Sequence, residues 1–179
     1  MSKVARQAES QQDAASHALE KAFAEYRSEL LGTLYYLVGN RDDASDALQE
    51  SFIKCWRHRE QVPQIENLKA WIFRIALNTG RDIRQTAWRR KRQGLPNEEA
   101  VMASNQDGPQ AEAEKGEQMG LLRCAIADLR SEEQEVFLLR QNGQMKYEEI
   151  AAAVGIPLGT VKTRMRLAIS KLREALAEG

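Results

Sequence analysis

Lys162, Thr163, Arg164 and Arg166 form a dense group of side chains able to read nucleic acid. Arginine and lysine pair with guanine edges, and threonine offers a methyl to thymine. On a helical wheel with Val161 at the origin, Lys162, Thr163, Arg166, Ser170 and Arg173 share one face. Val161, Met165, Ala168 and Leu172 share the opposite face, with Arg164 and Lys171 flanking that apolar stripe. Such a helix packs by one side and presents cations by the other. Thr160 stands in its opening turn, where hydroxyl and main-chain N–H groups suit phosphate.

The preceding residues place this helix. Lys146 to Val154 reads as a short amphipathic helix, Gly155 as a tight turn, and Pro157 as the opening of the next helix,. The layout is that of a helix-turn-helix, whose second helix enters the major groove. A cationic solvated face on an ordinary helix gives the same charge run; the glycine turn and proline start favour DNA contact.

A second basic stretch lies in the N-terminal half. With Leu68 at the origin, Leu68, Trp71, Ile72, Ile75 and Ile83 fall on a core face, and Phe73, Arg74, Leu77, Arg81, Arg84 and Trp88 fall on the far side, followed by Arg89 to Arg92. Aromatic rings among cations suit single-stranded DNA, since rings stack bases and cations track phosphates. The spacing equally fits rings packed on a neighbouring helix beneath solvated cations. The helix before it is acidic. Leu48, Phe52 and Cys55 mark its core face, while Asp43, Asp46, Glu50, Ile53 and Arg57 lie outward and Gln49 and Trp56 lie at the sides. That face is either solvated surface or a docking patch for a basic protein partner.

Helical periodicity runs through the chain, and strand signals are nearly absent,. The expected fold is all-α: two small helical domains joined by a flexible linker. Residues 1–16 look frayed. A helix from His17 stops at Gly39-Asn40. Asp42 or Asp43 caps a second helix reaching His58, Gln61 to Gln64 breaks the pattern, and a third helix starts near Asn67 and closes the first domain at residue 92. Residues 93–113 carry a linker composition rich in Gly, Pro, Asn and Asp,. The second domain, 114–179, is of helix-turn-helix or winged-helix-like type. Its Ser131 to Gln134 stretch is a capping-box pattern, and Gly143 ends the helix that follows.

Composition excludes other classes. The 179 residues carry 26 cations and 26 anions, so distribution, not net charge, must identify partners,. No apolar run is long enough to cross a bilayer, and residues 1–17 lack the apolar core of a secretory signal; the expected location is cytoplasmic. Cys55, Cys124, His17 and His58 are the only residues of their types and are scattered, so neither metal nor cofactor is expected,. Both cysteines fall among apolar residues at helical spacing and read as small buried hydrophobes. Nothing resembles a catalytic cluster, a nucleophile motif or a phosphate loop, so no enzyme is expected.

Three segments carry a family resemblance. Asp43-Ala44-Ser45-Asp46-Ala47-Leu48-Gln49-Glu50-Ser51-Phe52 resembles the DAEDLVQETF motif of region 2 of bacterial sigma factors. Leu68 to Asn78 resembles the WLYRIARN segment that follows it, and Gly159 to Arg164 is similar to the GTVKSR of region 4. The short chain, with region 2 joined to region 4 by a mere linker, resembles the extracytoplasmic-function (ECF) group. Ser45 stands in place of the usual acidic residue, Arg166 where some relatives have an aromatic, and Gly80 inside a helix, at about 1 kcal/mol against alanine,.

The resemblance implies a promoter-specificity subunit of RNA polymerase. Asp46, Gln49, Glu50 and Ile53 would dock on the clamp of the polymerase β′ subunit. Asn67, Lys69, Phe73, Arg74, Asn78, Arg81, Arg84 and Trp88 would engage and melt the −10 element of promoter DNA, and the loop from Val62 to Asn67 would hold one flipped base. Thr160, Lys162, Thr163, Arg164 and Arg166 would read the −35 element, with region 4 also meeting the β flap. An anti-sigma factor is an expected restraining partner. The alternative from a different class is a standalone helix-turn-helix regulator, though no receiver-like alternation of strands and helices precedes the motif.

Overall fold

The computed structural model describes the backbone of residues 3–92 and 111–177 and the side chains of residues 12–89 and 119–177. Seven α-helices and one 3-10 turn account for its elements: α1 (Lys3–Val38), α2 (Arg41–Arg57), a 3-10 segment (Arg59–Gln64), α3 (Leu68–Arg92), α4 (Ala111–Asp128), α5 (Ser131–Gln141), α6 (Tyr147–Val154) and α7 (Leu158–Ala177). No strand occurs among the described residues. The C-terminal domain therefore has helices and turns alone among them, and the winged alternative finds no wing there.

Helices α1, α2 and α3 pack on one another, and the 3-10 segment lies against α1. Leu19, Leu30, Leu34, Leu37, Ile72, Phe73 and Leu77 are almost completely buried in their midst. The second unit packs α4, α5 and α6 against α7 around Ile126, Val136, Leu138, Leu139, Met145, Ile150 and Val161. Burying side chains of this size contributes roughly 1.5–3 kcal/mol each, which offsets the ordering of the chain.

Several boundaries move from the sequence expectation. The first helix begins at Lys3, not His17, and Ala15 is already buried at 3% exposure. Its end is as expected: Gly39 takes φ +92, and its N–H reaches Tyr35 O at 2.9 Å. Asn40, not an aspartate, caps α2. Its Oδ1 accepts from the Asp43 N–H at 2.8 Å, and its Nδ2 donates to the Asp43 carboxylate at 2.7 Å. The Gln61 to Gln64 break is a 3-10 turn in which Pro63 is accommodated. Arg130, one residue before Ser131, occupies the cap of α5, and its N–H donates to Glu133 Oε2 at 3.3 Å. After α5, Gln144 (φ 52) makes the left-handed turn, whereas Gly143 is needed for space: a Cβ on it would meet Leu139 O at 2.7 Å. Most of the 93–113 linker expectation falls outside the described residues, but α4 begins inside it, at Ala111.

Candidate nucleic-acid interface

The helix-turn-helix is α6, a turn and α7. Gly155 sits in the left-handed region (φ 72, ψ 38), and the N–H groups of Gly155 and Ile156 both reach Ala151 O, at 2.9 and 3.1 Å. This satisfies a carbonyl at the end of α6 and turns the chain sharply. Pro157 immediately precedes α7, and its carbonyl accepts from Thr160 and Val161. A Lys146 N–H to Glu149 carboxylate bond (2.7 Å) fixes the start of α6.

The wheel for α7 holds position by position. Val161, Met165, Ala168 and Leu172 are buried, while Lys162, Thr163, Arg166, Ser170 and Arg173 are exposed. Arg164 and Thr160 are half-buried. Thr163 Oγ1 donates to Gly159 O at 3.0 Å, so its hydroxyl is occupied within the helix. Tyr147, Lys162, Arg166, Ile169 and Arg173 line an open concavity of about 610 Å³ between α6 and α7. The helix is fastened to α5 by Lys171, which pairs with the buried Glu133 at 2.7 Å.

On α3 the structure separates residues the sequence had grouped. Phe73 is completely buried, as is Leu77, so the Phe73 ring is core and not a base-stacking platform. The wheel missed this because α3 is covered by both α1 and α2, which widens its buried stripe beyond one face. Trp88 is 59% exposed. Arg74, Asn78 and Arg84 are exposed and Arg81 half-buried; Arg74, Asn78, Arg81 and Trp88 follow helical spacing down one side,. Asn67 acts as the cap of α3, its Oδ1 accepting from the Ala70 N–H at 2.9 Å. Lys69 pairs with Glu29 at 3.1 Å and stands 4.6 Å from the Tyr26 ring centroid. Glu29 and Tyr26, from α1, are partners that no local pattern could have revealed. Burial, with Glu25 and Glu29 nearby, raises the Tyr26 hydroxyl above its usual range.

On α2, Asp46 and Gln49 are exposed, Glu50 is half-buried and Ile53 is 42% exposed, so the acidic face carries one apolar side chain open to solvent. Beneath it, Lys54 Nζ donates to Thr79 Oγ1 at 3.1 Å, tying α2 to α3. Cys55 is buried, and that burial pushes its thiol up to about 12,. Cys124 is exposed, contrary to the expectation that both cysteines are core. No group of three or more His, Cys, Asp or Glu residues is placed to hold a metal among the described residues, and none of their helices is long and apolar enough to cross a membrane.

Two family models match the two helical units: "Sigma-70 region 2" over residues 22–93 and "Sigma-70, region 4" over residues 119–172. The RNA polymerase sigma-E factor of Streptomyces avermitilis is 31% identical over 166 residues, covering 90% of this chain and 88% of that protein. The chain belongs to the sigma-70 family, in its ECF group. The ECF RNA polymerase sigma factor EcfG of Rhodopseudomonas palustris is 32% identical, covering 78% of this chain and 75% of its own. The fold is also that of the Bartonella quintana sigma factor RpoE, solved in complex with the anti-sigma factor NepR: TM-score 0.63, 24% identity, 88% of this chain and 96% of that one. Region 2 of this sigma factor is thus built by α1–α3 and region 4 lies within α4–α7. The family consists of transcription initiation factors without catalysis of their own.

Proposed function

We propose that this sigma factor docks on core RNA polymerase by the acidic face of α2, reads the −35 element as duplex through α7, and holds the opened −10 strand along α3. The observation that carries this is the split of α7: four apolar side chains buried, and Lys162, Thr163 and Arg166 open to solvent directly after a left-handed glycine turn. On α2, Asp46, Gln49, Glu50 and Ile53 offer the β′ clamp an acidic rim around one apolar contact, the pattern that steers association and then fixes it,. On α3, Arg74, Asn78, Arg81, Arg84 and Trp88 supply phosphate ligands and one exposed ring,. Phe73, Asn67 and Lys69 support that surface from within, as core residue, helix cap and ion-paired strut. Region 4 also meets the β flap, and an anti-sigma factor restrains the protein, as NepR accompanies the Bartonella relative.

The test is run-off transcription with core polymerase on a genomic promoter library. Initiation that depends on the chain supports the proposal, and its complete absence overturns it. Gel shift without polymerase separates the standalone regulator, which would bind duplex DNA tightly and specifically by itself.

A further inference from the structure

Three arginines of α3 reach across to region 4. Arg74 Nη1 donates to Ala153 O at 3.0 Å, in the last turn of α6. Arg81 Nη2 donates to Ser131 O at 3.1 Å and lies 3.6 Å from the Glu135 carboxylate, both on α5. Arg84 Nη2 donates to Ala127 O at 3.1 Å, in the last turn of α4. A fourth arginine works in the opposite direction: Arg123, on α4, donates to the Tyr35 hydroxyl on α1.

Two of these acceptors, Ala127 O and Ala153 O, have a common chemistry, whereas Ser131 O opens α5. The last carbonyls of a helix have no intrahelical partner and carry the negative end of its dipole. Ala127 and Ala153 stand at two such ends, and Glu135 adds a carboxylate beside Arg81. A guanidinium therefore meets, on the surface of region 4, anionic or partly anionic oxygens of the kind that phosphate presents. The seam is polar, and a cleft of about 390 Å³ lined by Arg81, Arg84, Trp88, Ala127 and Gln134 remains open within it. Polar, incompletely filled contacts are those of domains that separate.

We infer that region 4 is an internal competitor for the nucleic-acid face of region 2: the free chain is latched shut through Arg74, Arg81 and Arg84, and single-stranded DNA takes the same arginines only after the latch opens. This deepens the reading of α3 given above and rests on it. Apparent affinity falls by the fraction of open chain, so a chain closed nine times in ten binds about tenfold more weakly than an open one.

Glu135 is the residue to change, because it belongs to no DNA-reading or polymerase-docking group. Full-length wild type, Glu135→Arg and Glu135→Ala are compared by small-angle X-ray scattering and by fluorescence anisotropy with a labelled single-stranded deoxyoligonucleotide, with circular dichroism confirming helicity. The wild type is compact at low salt. Glu135→Arg increases the radius of gyration and binds the oligonucleotide about tenfold more tightly. Glu135→Ala, which adds no cation, moves both readouts the same way by less, and decides the matter if the arginine variant fails to fold. Exchanging the charges in Arg81→Glu/Glu135→Arg restores compaction. Unchanged scattering in folded Glu135 variants overturns the latch and leaves the reading of α3 standing. Expansion without tighter binding overturns the competition together with that reading.

Discussion

Gly80 on α3 faces Leu37 on α1 so closely that a Cβ would lie 2.6 Å from Leu37 Cδ2 and 3.0 Å from Leu34 Cδ2. Both leucines are buried to 2% exposure or less, so shifting either one disturbs the core. The glycine that weakens α3 as an isolated helix is what lets two long helices approach.

Gly80→Ala therefore sets a helix-propensity gain of about 1 kcal/mol against overpacking of about 1–3 kcal/mol. Packing prevails, and the variant loses about 1 kcal/mol. Urea unfolding followed by circular dichroism measures it; a midpoint above wild type would show that Leu37 yields freely.

Phe73 and Trp88 separate stability from function. Phe73→Ala removes a fully buried ring and costs about 3–5 kcal/mol,. Trp88→Ala acts on a side chain that is 59% exposed and changes stability by only about 0.5 kcal/mol,. Trp88→Ala instead impairs open-complex formation more than closed-complex binding. Permanganate footprints identical to wild type would remove Trp88 from strand opening.

The contrast between these two rings shows where local pattern is sufficient. On α7 the buried side chains keep to one stripe, and the core and surface positions assigned by the wheel follow from helical spacing. On α3 two helices and the far domain share the surface, so a single wheel misplaces Phe73 and Leu77. Gly155 and Gly39 announce their turns because only a left-handed backbone fits there. The left-handed Gln144 has no such signature, nor have the pairs Lys69–Glu29, Arg81–Glu135 and Arg123–Tyr35, each spanning tens of residues. The acidic, basic and recognition helices were legible as elements; what holds their cations was not.

The two cysteines differ in reactivity. Cys124 is exposed and alkylates in the native protein, whereas Cys55 is buried with its thiol pushed up to about 12 and alkylates only on unfolding,. Mass spectrometry after brief iodoacetamide treatment at neutral pH resolves the sites. The same shift has a stability consequence. Between the ordinary thiol value and about 12 the unfolded chain releases the Cys55 proton while the folded chain keeps it. The native state then binds more protons, so this contribution is complete below the ordinary thiol range and is lost as pH rises through that window. Cys55→Ala removes that part of the alkaline slope, and an unchanged slope would assign it to other groups.

Lys162 and Arg166 stand one helical turn apart on the exposed face of α7, with Tyr147 and Ile169 beside them in the same concavity,. If either meets a base edge, replacing it by alanine relaxes −35 discrimination by about 1–3 kcal/mol at the contacted position. If it meets phosphate alone, all promoters weaken together and the salt dependence becomes shallower. Arg166 carries the sharper expectation, because its planar guanidinium can pair with guanine through two bonds at once, whereas Lys162 delivers a point charge. Arg166→Lys keeps the charge and loses the two-bond geometry. It reduces discrimination nearly as far as Arg166→Ala while retaining most overall affinity. Initiation measured on promoters carrying each single substitution in the −35 element distinguishes the two roles, and full discrimination by Arg166→Lys would assign Arg166 to the backbone.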